Sequence, residues 1–207
     1  MIKATNLEWT KRAFFEFESR FVFPRKFKTI KLANDIQIAK DHSVLLLQNH
    51  FSWWDGFLGS YLAYKYLNKS YHVMVQEDQL SRHWYMRYKG AFSIKKNSRE
   101  IMDSLDYTRG LLENPKNMVL IFPQGRLQSM HAGEITIERG VFKLLDKIES
   151  KCQVVYSAVT VEFLESFKPS VTFNLLDLGS TADLNTDELN ERINSFHRQA
   201  REGCVRP

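Results

Sequence analysis

The stretch Val44-Leu45-Leu46-Leu47-Gln48-Asn49-His50-Phe51-Ser52-Trp53-Trp54-Asp55-Gly56 places a histidine and a carboxylate five residues apart, directly after an apolar run. Four consecutive aliphatic residues predict a buried β-strand, with His50 in the loop that follows and Asp55 at the head of the next helix. Within one continuous helix a spacing of five residues would turn the two side chains away from each other. A functional pair therefore requires a loop between them.

A histidine beside a carboxylate is suited to proton transfer. An imidazole can accept a proton from a hydroxyl near neutral pH, and a carboxylate fixes its tautomer and stabilises the imidazolium that forms. The alternatives are a histidine held by a nearby backbone group and, for Asp55, a helix cap. Ser52 lies between the two, but no Gly-x-Ser-x-Gly elbow surrounds it, so a turn or cap role is favoured over a nucleophile.

Strands and helices alternate along the rest of the chain. This alternation predicts an α/β fold, a single domain with a central mostly parallel or mixed β-sheet flanked by helices and with an N-terminal amphipathic helix. His50 and Gly125 both follow predicted strands, so their loops could meet at one edge of the sheet. Further strands are predicted at 71–76, 117–122, 153–163 and 171–176, a hairpin at 30–33 and 36–39, and helices at 56–67, 98–112, 137–148 and, from a Thr186 cap, 187–201.

Composition favours one cytoplasmic domain. The 207 residues are 43% hydrophobic and 26% charged, which is ordinary for a soluble globular protein. No window approaches the roughly 18 apolar residues of a membrane span, and the start lacks the apolar core of a signal peptide. Cys152 and Cys204 form neither a CxxC pair nor part of a metal-ligand cluster, so free thiols and no metal are expected.

The net charge of the chain is concentrated at its start. Residues 1–31 carry eight basic and three acidic residues, a net charge of +5 that equals the net charge of the whole chain. Phenylalanines at helical spacing within 6–22 predict a helix that Pro24 ends. This helix could pack its apolar stripe on the core or lie on a bilayer. The chain is therefore divided into a basic amphipathic segment, 1–29, as a membrane-surface contact, and an α/β domain, 30–207.

The stretch 80–88 is rich in large side chains, with Trp84, Tyr85, Met86 and Tyr88. Such residues could line a pocket for an acyl chain. Because large aromatics mostly serve packing, a place in the core is favoured.

Three blocks, in order, resemble the glycerolipid and lysophospholipid acyltransferases. Residues 49–55 fit the Asn-His-x-Ser-x-x-Asp block of that family. Residues 90–96, Gly-Ala-Phe-Ser-Ile-Lys-Lys, are similar to its second block, and 120–126, Leu-Ile-Phe-Pro-Gln-Gly-Arg, to its third, which usually reads Phe-Pro-Glu-Gly-Thr-Arg. The resemblance spans about 44–160, more than half of the chain.

Several positions depart from the family pattern. Gln124 stands where the family usually has Glu, and Arg126 where it has Thr. Lys96 replaces the terminal Arg of the second block, with Arg99 close by, and a fourth-block strand at 154–159 lacks its proline. In the family the basic positions are associated with the phosphate of the acceptor, and Lys offers a point charge rather than a bidentate fork. Acyl transfer is thus better supported than a phosphate-bearing acceptor.

The resemblance implies an acyltransferase that moves a fatty acyl group from acyl-CoA or acyl carrier protein (ACP) to a hydroxyl or amine of a lipid acceptor. His50 would act as general base, oriented by Asp55, and no bound cofactor is needed because the acyl donor is a substrate. The expected location is the cytoplasmic face of a membrane, with residues 1–31 on its anionic surface. The substrate-binding candidates are Asn49, Ser52, Lys96, Arg99, Phe122, Pro123, Gln124, Gly125 and Arg126.

Two other function classes stay open. One is a non-catalytic membrane or lipid-binding protein with the same fold, against which the presence of both His50 and Asp55 argues. The other is a nucleic-acid binder that uses the basic start of the chain. That class is disfavoured because there is no recognisable RNA-binding or helix-turn-helix motif and no basic stripe beyond residue 31.

Overall fold

A seven-stranded β-sheet forms the centre of the protein, in the order β1-β7-β6-β2-β5-β3-β4. The computed structural model describes residues 1–5, 7–95, 101–149 and 151–205, with side chains through 203. All neighbouring strands pair in parallel except β6 and β7, so the predicted mixed, mostly parallel sheet is confirmed. The strands are β1 Thr29–Leu32, β2 Ser43–Gln48, β3 Ser70–Gln76, β4 Ala91–Ile94, β5 Asn117–Ile121, β6 Cys152–Glu162 and β7 Ser170–Ser180.

Helices cover both faces of the sheet. One face packs on α5, α6 and α7, and the other on α2, α3 and α4. The helices are α1 Glu8–Phe17, α2 Phe23–Lys26, α3 Asp55–Leu62, α4 Glu77–Arg82, α5 Ile101–Leu112, α6 Arg139–Leu145 and α7 Leu189–Val205, with π-helical segments Glu18–Val22 and Ala63–Leu67 and a 3₁₀ helix Trp84–Lys89.

Strand β2 lies in the middle of the sheet, between β5 and β6, and every one of its residues is buried. Leu45 and Leu47 pack into the core on the α5 side, whereas Val44 and Leu46 pack on the α3 side. Burial on both faces explains why the strand reads as an uninterrupted apolar run. The loop that carries His50 therefore leaves the sheet at its centre.

The predicted hairpin at 30–33 and 36–39 is wrong. Thr29–Leu32 forms β1, which pairs in parallel with β7. Beyond it, the Asn34 side chain bonds to the Leu175 backbone, and Gln153 bonds to the backbone of Gln37 and Ala39. Residues 36–39 thus bond to a side chain rather than to a neighbouring strand, which a local pattern of β-branched residues does not reveal.

Pro24 does not end the N-terminal helix. It lies in the first turn of α2, where a missing N–H costs nothing, after the π-helical segment that joins α2 to α1. The N-terminal segment packs on the domain through Phe23 and Phe27, and Ile2 exchanges hydrogen bonds with Ser93 of β4. Some of its large apolar side chains stay exposed, namely Leu7, Trp9, Phe17 and Phe21.

The aromatic stretch 80–88 divides between core and surface. Leu80 is fully buried, but Trp84 and Tyr85 are exposed, so a core role for these two residues is wrong. The 3₁₀ helix ends at Gly90, whose φ is 96° and where a Cβ would lie 2.2 Å from the carbonyl oxygen of Tyr71. The second block therefore begins with glycine because β3 leaves no room for a side chain there.

Two buried histidines are expected to make the fold sensitive to acid. Burial, together with the Lys11 ammonium 3.1 Å from Nε2, lowers the pKa of His72 to about 3. Burial also lowers the pKa of His197 to about 4. The unfolded chain binds protons at these rings near pH 6.5, whereas the folded chain does not, so the free energy of unfolding should fall as the pH drops from about 6.5 to about 4.

The contribution of His72 to this fall is on the order of 3 kcal/mol. Urea unfolding at pH 7, 5.5 and 4 measures it, with His72→Gln as the comparison. The glutamine variant should show a flatter pH dependence than the native chain. Equal pH dependence in the two proteins would contradict the assignment.

Candidate active site

Two loops meet at the carboxyl edge of the sheet, one after β2 and one after β5, because these strands pair in parallel. The backbone N–H of His50 donates to Oε1 of Gln124 at 2.9 Å, and the N–H of Gln128 donates to the carbonyl oxygen of His50 at 2.8 Å. Gln124 Nε2 also donates to Gln128 Oε1 at 3.1 Å. The predicted meeting of the two loops is therefore confirmed, and the side chain of Gln124 and the backbone N–H of Gln128 both link them.

His50 and Asp55 form a hydrogen-bonded pair. His50 Nδ1 lies 2.8 Å from Asp55 Oδ2. The carboxylate is fully buried, and the same oxygen accepts from the N–H groups of Phe51 at 2.7 Å and Ser52 at 2.8 Å. Asp55 thus closes the loop that precedes α3, whereas the helix cap considered from the sequence would have bonded to the N–H groups of the first turn.

This arrangement defines which nitrogen of His50 can act. A carboxylate only accepts hydrogen bonds, so Nδ1 carries the proton and Nε2 presents its lone pair. The side chain is 22% exposed, and Nε2 makes no hydrogen bond to the described part of the chain. The ring stacks on Phe122 at a centroid distance of 3.9 Å and an interplanar angle of 15°. Phe122 and Asp55 together hold the imidazole with Nε2 available to a ligand.

Asn49 ties the His50 loop to β6. Its Nδ2 donates to the carbonyl oxygen of Val159 at 3.0 Å, and its Oδ1 accepts from the N–H of the same residue at 2.7 Å. Ser52 is part of the turn: its Oγ accepts from the Trp54 N–H at 3.2 Å, and its carbonyl oxygen accepts from the Asp55 N–H at 3.2 Å. The polar groups of both predicted substrate-binding side chains therefore hold the loop in place.

The other predicted residues after β5 differ in their surroundings. Pro123 is buried, and its carbonyl oxygen accepts from the Glu138 N–H at 2.9 Å. Gly125 has a φ of 62°, in the left-handed region that glycine tolerates, and Arg126 is exposed beside it. The second-block candidates Lys96 and Arg99 lie outside the described residues.

Three further residues support the site and were missed from the sequence. Gln48 Nε2 donates to the carbonyl oxygen of Asp55 at 3.2 Å, and Gln76 Nε2 donates to that of Gly125 at 3.3 Å. The Tyr71 hydroxyl donates to the carbonyl oxygen of Gly56 at 2.6 Å, and burial raises its pKa well above the usual value, so it stays a donor. In the sequence, only its position directly before the first block pointed to Gln48. No local pattern pointed to Gln76 or Tyr71.

Gln124 is expected to act by positioning His50. It is buried, and Gln124→Leu would leave the His50 N–H without its acceptor, at a cost of about 1–3 kcal/mol in folding stability. Gln124→Glu keeps an acceptor for the His50 N–H but loses the donor to Gln128 Oε1, so it should lose less stability and activity than the leucine variant. Thermal unfolding together with a turnover assay compares the two variants. Equal behaviour of the leucine and glutamate variants would exclude this role.

No group of three His, Cys, Asp or Glu side chains suited to hold a metal ion occurs within the described ranges. None of the helices in that part of the chain is both long and apolar enough to cross a bilayer.

A family model described as Acyltransferase matches residues 29–160, more than half of the chain. Among solved structures, the crystal structure of the 1-acyl-sn-glycerophosphate (LPA) acyltransferase PlsC from Thermotoga maritima is similar, with a TM-score of 0.65 and 13% sequence identity, over 95% of this chain and 80% of that chain. At this identity the likeness concerns the fold. No curated protein matches the sequence.

Proposed function

Because the chain belongs to the acyltransferase family, we propose that it transfers a fatty acyl group from acyl-CoA or acyl-ACP to a hydroxyl or amine of a lipid acceptor. In this proposal His50 is the general base and Asp55 orients it. The observation that carries it is the 2.8 Å hydrogen bond from His50 Nδ1 to a fully buried carboxylate, with Nε2 left for a substrate.

The proposed reaction needs both substrates bound together. His50 Nε2 takes the proton of the acceptor as its oxygen or nitrogen attacks the carbonyl carbon of the thioester. The carbonyl oxygen becomes an oxyanion, and the negative charge of Asp55 stabilises the imidazolium. Collapse of the tetrahedral intermediate breaks the carbon–sulfur bond, and the proton passes from His50 to the leaving sulfur. Among the described contacts the Ser52 hydroxyl bonds to the Trp54 N–H and not to His50, which supports direct transfer without an acyl-serine.

A lipid acceptor is supported by two observations. The fold is similar to that of a protein described as a 1-acyl-sn-glycerophosphate acyltransferase. The exposed apolar residues of the N-terminal segment also lie among basic ones, a combination that suits an anionic membrane surface. We therefore propose that residues 1–31 contact the cytoplasmic face of a membrane. Gln124 and Arg126 depart from the family pattern, so the proposal does not require a phosphate on the acceptor.

The second candidate is a lipid-binding protein that has kept the fold without catalysis. The exposed apolar and basic residues of the N-terminal segment favour it as much as they favour an enzyme. The intact hydrogen-bonded pair of His50 and Asp55 favours the enzyme, because lipid binding alone needs no buried carboxylate behind a histidine.

Free-thiol release from long-chain acyl-CoA and acyl-ACP tests the proposal, with and without a panel of lysolipids, glycolipids and amino-acid lipids. We expect release that depends on an acceptor and is lost in His50→Ala, and the active acceptor then names the substrate class. Release without an acceptor would indicate a thioesterase. No release by a folded protein that binds liposomes would leave the non-catalytic lipid-binding candidate.

A further inference from the structure

The turn between β6 and β7 presents three large apolar side chains to solvent. Phe163 is 57% exposed, Leu164 is 83% exposed, and Phe167 is fully exposed. We call residues 163–168 the β6–β7 tip. Large apolar side chains that are grouped and exposed in this way mark a binding surface, because their exposure opposes solubility.

The tip lies on the same edge of the sheet as the candidate active site. Strand β2 ends at Gln48, which is opposite Ser157 of β6, and the two strands run in parallel. Strand β6 continues for five residues beyond that point, to Glu162. At roughly 3.3 Å per residue, the tip projects about 16 Å past the end of β2, measured along the strand. The tip therefore stands on the His50 side of the sheet, beyond the end of β2.

Leu164 has a φ of 42°, a backbone conformation that side chains other than glycine, asparagine and aspartate rarely adopt. A turn selected only for its shape would carry glycine or asparagine here. Leucine at this place contributes little to packing, because most of its surface is in solvent. The apolar side chain itself is therefore the feature that needs an explanation.

The tip is joined to the basic N-terminal segment. Lys168 Nζ donates to the carbonyl oxygen of Pro24 at 2.7 Å, and the Lys28 N–H donates to that of Pro169 at 2.8 Å. Arg25 and Lys26, next to Pro24, are exposed. Four cations thus lie in and beside the tip, against the carboxylates of Glu162 and Glu165. Apolar side chains at a projecting tip with cations behind them suit an anionic bilayer. The apolar side chains enter the boundary of the acyl chains, and the cations meet the anionic headgroups.

We propose that the β6–β7 tip inserts into an anionic membrane and, with the adjoining basic residues 25–28, holds the His50 edge of the sheet towards the lipid. This inference rests on the proposed function in that the lipid surface would supply the acceptor. A convex turn of six residues has little area for a protein partner, since specific interfaces bury about 800 Å² on each side. A bilayer needs no matching groove.

The double variant Leu164→Asn/Phe167→Ser tests the proposal in the full chain. Both side chains are almost wholly exposed, and asparagine tolerates the backbone at 164, so the fold should be unaffected. Met102→Gln is the matched control. Met102 is an exposed apolar residue on α5, which covers the face of the sheet opposite to α2. Co-sedimentation with vesicles of phosphatidylcholine and phosphatidylglycerol is measured at low and high salt, together with acyl transfer to acceptors in vesicles and to a water-soluble acceptor.

We expect the double variant to partition into vesicles about tenfold more weakly, or worse, at both salt concentrations, while the control binds like the native chain. Transfer to the acceptor in vesicles should fall, and transfer to the water-soluble acceptor should not. If the double variant binds vesicles and transfers acyl groups like the native chain, the tip inference is overturned and the proposed function is unaffected. Loss of vesicle binding in a chain that transfers no acyl group would support the tip and overturn the enzyme. A native dimer that the double variant abolishes, with vesicle binding unchanged, would assign the tip to a contact between copies.

Discussion

His50→Ala is expected to lower the rate of acyl transfer by about 1,000-fold with little effect on folding. A positioned general base contributes roughly 10² to 10⁴ in rate, and His50 Nε2 is the only base that we assign to the acceptor. The side chain is partly exposed, and the substitution leaves Asp55 with the N–H groups of Phe51 and Ser52 as partners. The loop should therefore remain closed. Steady-state thiol release together with thermal unfolding measures both effects.

The chain offers a matched control for this variant. His42 also has a carboxylate partner, since its Nδ1 lies 3.0 Å from Asp41 Oδ1, but it precedes β2 and is therefore at the opposite end of that strand from His50. His42→Ala should leave the rate within about twofold of the native value. If the two histidine variants have the same activity, His50 is not the base.

Asp55→Asn is expected to lower the rate by about 100- to 10,000-fold while the protein stays folded. The amide is similar in shape, and its oxygen can accept from the Phe51 and Ser52 N–H groups, but it carries no charge to stabilise the imidazolium of His50. The rate should fall mainly in kcat, because a side chain with no exposed surface is out of reach of both substrates.

Asp55→Ala separates the structural part of this role from the chemical part. It leaves the two backbone N–H groups without their acceptor, which we expect to cost about 2–4 kcal/mol in the free energy of unfolding. The asparagine variant should lose much less stability, although both lose activity. Asp41→Asn, the exposed counterpart in the other histidine pair, should change neither quantity. Native-like activity of Asp55→Asn would refute the proposed assistance to His50.

The sequence predicted the fold class correctly because the parallel strands are buried on both faces. Residues 44–47 and 118–121 read as apolar runs, and each lies near the centre of the sheet with a site loop after it. The predicted ends of helices and strands were less accurate. Helix α7 begins at Leu189 rather than at 187, and the backbone carbonyl of Thr186, not its side chain, accepts from the Leu189 N–H at 3.3 Å. Such ends depend on hydrogen bonds that a hydrophobic pattern does not record.

What the sequence alone determined is local: a buried strand, a histidine and a carboxylate five residues apart, and a helix after them. The short loop between His50 and Asp55 is sufficient to bring the two side chains together, so the pair could be predicted from their spacing in the sequence. Only the tertiary structure decided that Gln124 joins this loop to the one after β5, that residues 36–39 bond to Gln153, and that the β6–β7 tip stands at the same edge as His50. These contacts join residues between about 70 and 120 positions apart in the chain, and they follow from the order of strands in the sheet, which no local pattern of side chains encodes.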